Sequence, residues 1–235
     1  MTLYGANFSQ PGIAGYEMKV LNLYAGIGGN RKLWTDVEVT AVELNPQIAK
    51  IYQDFFPQDK VIVGDAHQYL LEHFKEYEFI WSSPPCPTHS RMCNLNYIKT
   101  EQGQEPKYPD MRLYQEIILL KSWFKGKYCI ENVISYYKPL ISPCESNNHY
   151  FWANFFIGSW NKTKRYIREH LCDMEEILTP ELKNIKLPGA LKEQVINNMV
   201  IPELGLHILN ESKRDIQPEL FRKESICQKQ TYSTR

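Results

Sequence analysis

The chain carries no excess of charge. Lys plus Arg and Asp plus Glu each number 27 in 235 residues, so the formal net charge is zero. That excludes binding to nucleic acid by bulk charge and leaves room only for a local basic cleft. Cysteine is sparse: six, at 86, 93, 129, 144, 172 and 227, with no CxxC pair. A disulfide framework is not expected, and a reduced, cytoplasmic setting fits. Cys86, His89 and Cys93 lie near one another, but no second Cys/His pair at ligand spacing accompanies them, so no metal site is expected. No basic-then-apolar segment opens the chain, and apolar runs such as EIILL and YFWANFFIG are too short to span a bilayer. No membrane partner is expected. Repeats and low-complexity tracts are also missing.

What is present is an alternation. MKVLNLYA (18–25), VEVTAVEL (37–44), KVIVGDA (60–66), YEFIWSS (77–83) and KYCIENV (127–133) read as strands, most of them buried runs with polar ends. Between them, NRKLW begins a helix, NPQIAKIYQDFF (45–56) forms one with Asn45 as N-cap and Pro46 at the first helical position, and HQYLLEHF forms another. DMRLYQEIILLKSWF (110–124) is an amphipathic helix with Asp110 as cap. HYFWANFFIG (149–158) reads as a further strand, and residues 188–209 as two helices with a short break. The fold class expected is α/β, a Rossmann-like, mostly parallel sheet with helices on both faces. Right-handed crossovers put the strand C-terminal ends on one rim, where such sheets bind ligands.

Four turns deliver polar residues to that rim. In AGIGG, glycines 26, 28 and 29 either let the backbone approach an anionic ligand or simply make a tight turn. The spacing is not G-x-G-x-x-G, which makes a dinucleotide a poor fit. Glu43 ends its strand as a ribose-binding carboxylate or as an exposed acid. Asp65 accepts from an adenine amino group, caps the next helix, or does both. Together these suit an adenosine-bearing ligand with a short charged tail, as S-adenosylmethionine (SAM) is. Cys86, fixed between prolines in SSPPCPTHS, is either a buried small hydrophobe or a nucleophile, with His89 and Arg91 near enough in sequence to favour a thiolate. Glu131 in IENV is its candidate acid–base partner or a loop-holding carboxylate.

NLYAGIGG, Glu43, Asp65, SPPCPTHS and IENV, in this order, resemble the DNA cytosine-5 methyltransferase family, and QVINNMVIPELGLHIL resembles that family's last motif. The likeness covers residues 18–133 and 188–209. It implies a Rossmann-like SAM-dependent methyltransferase fold and methyl transfer from SAM to C5 of a flipped cytosine through a covalent Cys86–C6 adduct. Cys86 and Glu131 would be catalytic. Tyr24, Ala25, Gly26, Ile27, Gly28, Gly29, Glu43, Leu44, Asp65, Ala66, Pro85, Asn198 and Val200 would hold the cofactor. Residues 87–109 would form the loop that closes over the base.

Two departures qualify the likeness. The family carries a Q-x-R-x-R motif on the strand after ENV, but here Phe151 and Ala153 stand where arginines are expected. Either Arg165 or Arg168 substitutes from the next segment or Trp152 stacks on the base instead, with Ser90 and Asn132 as further candidate contacts; both arginines also read as solvated surface charge. The region that normally holds a large target-recognition domain is also short. The expected organisation is an N-terminal arm (1–17), a catalytic core (18–143), a reduced target-recognition segment (144–187), C-terminal helices completing the core (188–210) and a polar tail (211–235). The expected partner is DNA, with RNA or a free nucleotide as the alternative substrate and a helper subunit for recognition. A non-catalytic SAM- or nucleic-acid-binding subunit is the alternative of another class. Restriction–modification or phage self-protection is the setting the resemblance implies.

Overall fold

Strand Met18–Leu23 (β1) lies inside a sheet that grows in both directions from it. The computed structural model describes residues 16–91, 107–146, 148–158, 160, 195 and 198–214. Beside β1 lie Val37–Glu43 (β2) and then Lys60–Val63 (β3) on one side, and Phe79–Ser82 (β4) and then Lys127–Val133 (β5) on the other, all parallel. His149–Ala153 (β7) continues the sheet antiparallel to β5, and Cys144–Ser146 (β6) pairs outside it. The order β3-β2-β1-β4-β5-β7-β6 reverses between β1 and β4, which is where sheets of this kind form a ligand crevice.

Both sheet faces are covered, which is why the central strands are buried on both sides. On one face Leu21, Leu23, Ile80 and Ile130 meet helices Ala66–His73 (α2) and Arg112–Trp123 (α3). On the other, Val20, Phe79, Trp81 and Cys129 meet Trp34, Phe155, Ile157 and helix Pro202–Lys213 (α4). Helix Pro46–Phe55 (α1) supplies Tyr52 and Phe56, which pack with Ala25 and Ala41. The fold class expected from the alternation is therefore the one observed. Among the described residues, no helix is long and apolar enough to cross a membrane.

The caps explain where the helices begin. Asn45 accepts from Gln47 and Ile48 N–H, with Pro46 in the first turn, and Asp65 accepts from His67 and Gln68 N–H. At α3 the expectation shifts by one residue: Met111 occupies the cap position without a side-chain bond, and Asp110 instead accepts from Arg112 N–H and pairs with its guanidinium.

The helix expected to begin at NRKLW does not form. Residues 26–33 run as turns closed by three-residue bonds from Arg31 to Gly28, Lys32 to Gly29 and Trp34 to Arg31. The reason is that this segment is bound by its side chains. Arg31 is 5% exposed and makes a bidentate ion pair with Asp59, while Trp34 is buried against Phe79 and Trp81. Asn30 exchanges amide hydrogen bonds with Asn22 of β1. Burying Asn30, Arg31 and Trp34 together leaves no polar outer face for an amphipathic helix. The final helix also runs beyond its expected end at 210, to Lys213.

Candidate active site

A cavity of about 590 Å³ opens on the rim where the parallel strands end. The Gly-rich turn, the end of β2, the start of α2, the Pro84–Pro87 stretch, the end of β5 and the segment before α4 all reach it. Of the residues expected to hold a cofactor, Tyr24, Ala25, Gly26, Ile27, Gly29, Glu43, Leu44, Asp65, Ala66, Pro85, Asn198 and Val200 line it. Gly28 stands behind the wall instead: a Cβ there would lie 2.4 Å from the Phe56 ring and 2.8 Å from that of Tyr52.

The turn is shaped for close approach, and two of the three glycine amides expected to meet an anion, those of Gly26 and Gly28, are used within the protein. Gly26 and Gly28 have φ of 55° and 83°, and Tyr24 has φ of 55°. Tyr24 is an uncommon residue for that conformation. Its hydroxyl donates to Glu116 Oε1 at 2.6 Å, which fixes the side chain. The amides of Ala25, Gly26 and Gly28 donate to Val42 O, Glu43 Oε2 and Ala25 O, so they are used within the protein. Gly29 has a different task. A Cβ there would lie 2.2 Å from Met199 Cγ and 2.5 Å from Val200 O, so the segment before α4 closes the cavity only over a glycine.

Glu43 accepts from Gly26 N at 3.0 Å and Asn45 N at 2.8 Å, one bond per oxygen. Each oxygen keeps a further lone pair for a ligand hydroxyl. Asp65 places Oδ1 on the α2 cap and Oδ2 3.9 Å from Arg112. The cap thus uses one oxygen and leaves the other toward Arg112. Behind the turn, Glu116 is fully buried and accepts from Tyr24 and from Ser82 Oγ, with His67 Nδ1 at 3.0 Å. This bond and the neighbouring carboxylate outweigh burial and push the His67 imidazole up. Carboxylates lining one cavity with a Gly-rich turn, with an apolar wall from Leu44, Ile48 and Ala66, fit SAM.

Cys86 and Glu131 line the same cavity, delivered by β4 and β5. Asn132, 2% exposed, holds the two loops together: its amide donates to Pro84 O at 2.9 Å, and its oxygen accepts from Val133 N. It is thus a brace, although it reaches the cavity wall. The electrostatics of Cys86 differ from expectation. Burial, and next the charge of Glu131, push its thiol up rather than down. His89 is 1% exposed, bonds Tyr137 Oη through Nδ1 and is pushed down by burial. Arg91 donates to Ser135 O. Neither supplies the expected positive charge to the thiol. Glu131 is pushed up by burial, against the opposing pull of His149 and a hydrogen bond from Ser83. Burial thus favours the protonated carboxyl, a form that can donate a proton.

The substitute base contacts fare unevenly. Trp152 is 5% exposed, donates to Ile141 O and packs edge-on against Tyr114 and Tyr150, so it cannot stack on a base. It alternates onto the α2–α3 face because Phe151 occupies the other. Ser90 forms a bridge to Ser135 and lies off the cavity wall. Arg165, Arg168 and most of the loop expected over the base lie outside the described residues. Among the lining residues that escaped sequence reasoning, Arg112 and His149 are the two with ionisable side chains. Arg112 sits just after the Asp that marks its helix start. His149 becomes visible only once β7 is known to run antiparallel to β5.

Residues 18–134 match the sequence model of a family described as C-5 cytosine-specific DNA methylase. No curated protein matches the chain. Among solved structures, a DNMT2 variant from Spodoptera frugiperda aligns at 22% identity over 50% of this chain and 36% of its own, with a TM-score of 0.34. A SAM-dependent methyltransferase from Agrobacterium tumefaciens aligns at 15% identity over 53% of this chain and 41% of its own, with a TM-score of 0.36. The matches span less than half of either protein's length.

Proposed function

We propose that this chain, which through residues 18–134 belongs to the C-5 cytosine-specific DNA methylase family, transfers a methyl group from SAM to C5 of cytosine in DNA. The observation that carries the reading is that Cys86 and Glu131 line one cavity with Glu43 and Asp65, so a nucleophile, an acid and a nucleoside-binding wall converge. SAM supplies an electrophilic methyl group on a sulfonium.

In the proposed reaction Glu43 holds the ribose, and Asp65 accepts from the adenine amine through the oxygen not used in the cap. Cys86 gives its thiol proton to solvent as Sγ attacks C6 of the base, and Glu131 donates to N3, so the electron density pushed into the ring is neutralised there. C5 becomes nucleophilic and takes the methyl. The C5 proton then passes to solvent, the N3 proton returns to Glu131, and the C6–S bond breaks to release 5-methylcytosine and a Cys86 thiolate that takes a proton back from solvent. The prolines around Cys86 and the Asn132 brace fix the approach of the thiol, which stays protonated in the absence of ligands and so resists oxidation. The base must arrive out of its stack, since Cys86 is half-buried in the cavity wall. Target recognition is assigned to residues 144–187, of which Cys144–Ser146 and His149–Ala153 also build the sheet.

Labelled SAM offered with duplex DNA, RNA and dCMP, to the wild type and Cys86→Ser, tests this. Label recovered as 5-methylcytosine in DNA and lost in Cys86→Ser supports it. Transfer to RNA or dCMP alone would change the substrate. Absence of transfer to all three, with SAM bound, would overturn the catalytic reading.

A further inference from the structure

His149 stands where the strand register brings it, beside Glu131. Antiparallel pairing of β5 and β7 sets Phe151 opposite Glu131 and His149 opposite Val133. His149 and Glu131 are therefore diagonal neighbours on one sheet face, within reach of long side chains. Nε2 lies 3.6 Å from Glu131 Oε1. The two differ in access: the carboxyl side chain is 10% exposed and the imidazole 36%. Both line the cavity that holds Cys86.

We infer that His149 is a positioning residue for the proton of Glu131, relaying it between solvent and the buried carboxyl. This rests on the proposed cytosine chemistry. One proton passes from the imidazolium Nε2 to Oε1, the proton on the other oxygen passes to N3 as the Sγ–C6 bond forms, and both return when that bond breaks. The distance exceeds a hydrogen bond, so a small side-chain rotation or one bridging water completes the contact. A buried acid that must be protonated in every cycle needs a path to solvent, and an imidazole is suited to it near neutral pH. The groups facing His149 agree with the role. Glu131 comes from β5 and Cys86 from the loop after β4. From β6, Cys144 and Ser146 share its face, while Glu145, opposite Tyr150, alternates to the other side. Burial holds the Cys144 thiol up, and the Glu131 carboxyl is an acidic group 3.6 Å from the imidazole.

Two measurements test this. In single-turnover methyl transfer to DNA between pH 5.5 and 9, the wild-type rate falls on the alkaline side through the imidazole range. His149→Gln lowers the rate at pH 6.5 by about 10²-fold and loses that limb, with SAM affinity unchanged. His149→Arg, charged but unable to release a proton, does not restore it. Wild-type rate and pH profile in His149→Gln, or rescue by His149→Arg, would overturn the inference. The second measurement needs no turnover. NMR follows the ring resonances of His149 in the wild type and in Glu131→Gln, where loss of the carboxyl contact is expected to shift them. Unchanged resonances would overturn the inference even if DNA is not the substrate, whereas a shift without any methyl transfer would place the failure in the proposed reaction.

Discussion

The carbonyl oxygen of Asn30 occupies the space that a side chain on Gly205 would need. A Cβ on that helix residue would stand 2.2 Å from the oxygen and 2.7 Å from Asn30 Cα. Helix α4 thus rests directly on the turn that follows β1, and the residues just before it, Met199 and Val200, press on Gly29. The C-terminal segment is fastened to the cofactor side of the cavity at two glycines.

Gly205→Ala is therefore expected to destabilise the fold by about 1–3 kcal/mol, because the obstructing atoms are backbone and cannot rotate aside. Urea unfolding measures this. The same substitution should weaken SAM binding, since α4 and the wall before it move together. A variant as stable as the wild type would show that the contact is loose.

Arg31 and Asp59 form a buried pair with every bond directed: Arg31 Nε and Nη2 to the carboxylate, Nη1 to Trp34 O, and Tyr52 Oη to Asp59 at 2.8 Å. Arg31→Met leaves a buried carboxylate uncompensated and is expected to cost about 3–5 kcal/mol. The double variant Arg31→Met, Asp59→Leu should regain much of that loss in the same unfolding assay. A double variant no better than the single would contradict a charge-based cost.

Glu131→Gln is expected to remove methyl transfer and to stabilise the fold at neutral pH. The native carboxyl is raised above its ordinary value, so above pH 4.5 the unfolded chain ionises more readily and the native state loses stability as pH rises. Melting temperatures of the two proteins should diverge from acid toward neutral pH. A lower melting temperature for the glutamine variant at pH 7.5 would contradict this.

The contact of His67 with Glu116 has a pH dependence of the same direction but is a stabilising contribution. The imidazole is raised above 6.5, so its contribution to stability is full below that pH and is lost as pH rises through the higher native value. The stability gap between wild type and His67→Gln should therefore be largest in acid and close at alkaline pH. A gap independent of pH would mean that only packing is involved.

The parallel half of the sheet was legible because its strands are buried runs and its helices carry their caps in sequence, as at Asn45 and Asp65. The convergence of Glu43, Asp65, Cys86 and Glu131 followed from topology, since parallel strands end on one rim. What was not legible depended on pairing between distant segments. Arg31 and Trp34 read as the start of a helix because Asp59, their tertiary partner's anchor, lies 28 residues away from Arg31. The local charge expected at Cys86 failed because His89 is turned into a buried bond with Tyr137, 48 residues on. Trp152 and His149 could be sorted to opposite faces only by the register of β7 on β5.

The central claim is that Cys86 is the nucleophile toward C6. Duplex DNA carrying 5-fluorocytosine, incubated with the protein and SAM, tests it most directly, because a fluorine at C5 cannot leave as a proton does and the adduct persists. The account predicts a denaturation-stable protein–DNA complex whose peptide mass places the link at Cys86, and no complex with Cys86→Ser. A complex that survives Cys86→Ser, or methylation of ordinary DNA without any trapped species, would contradict it.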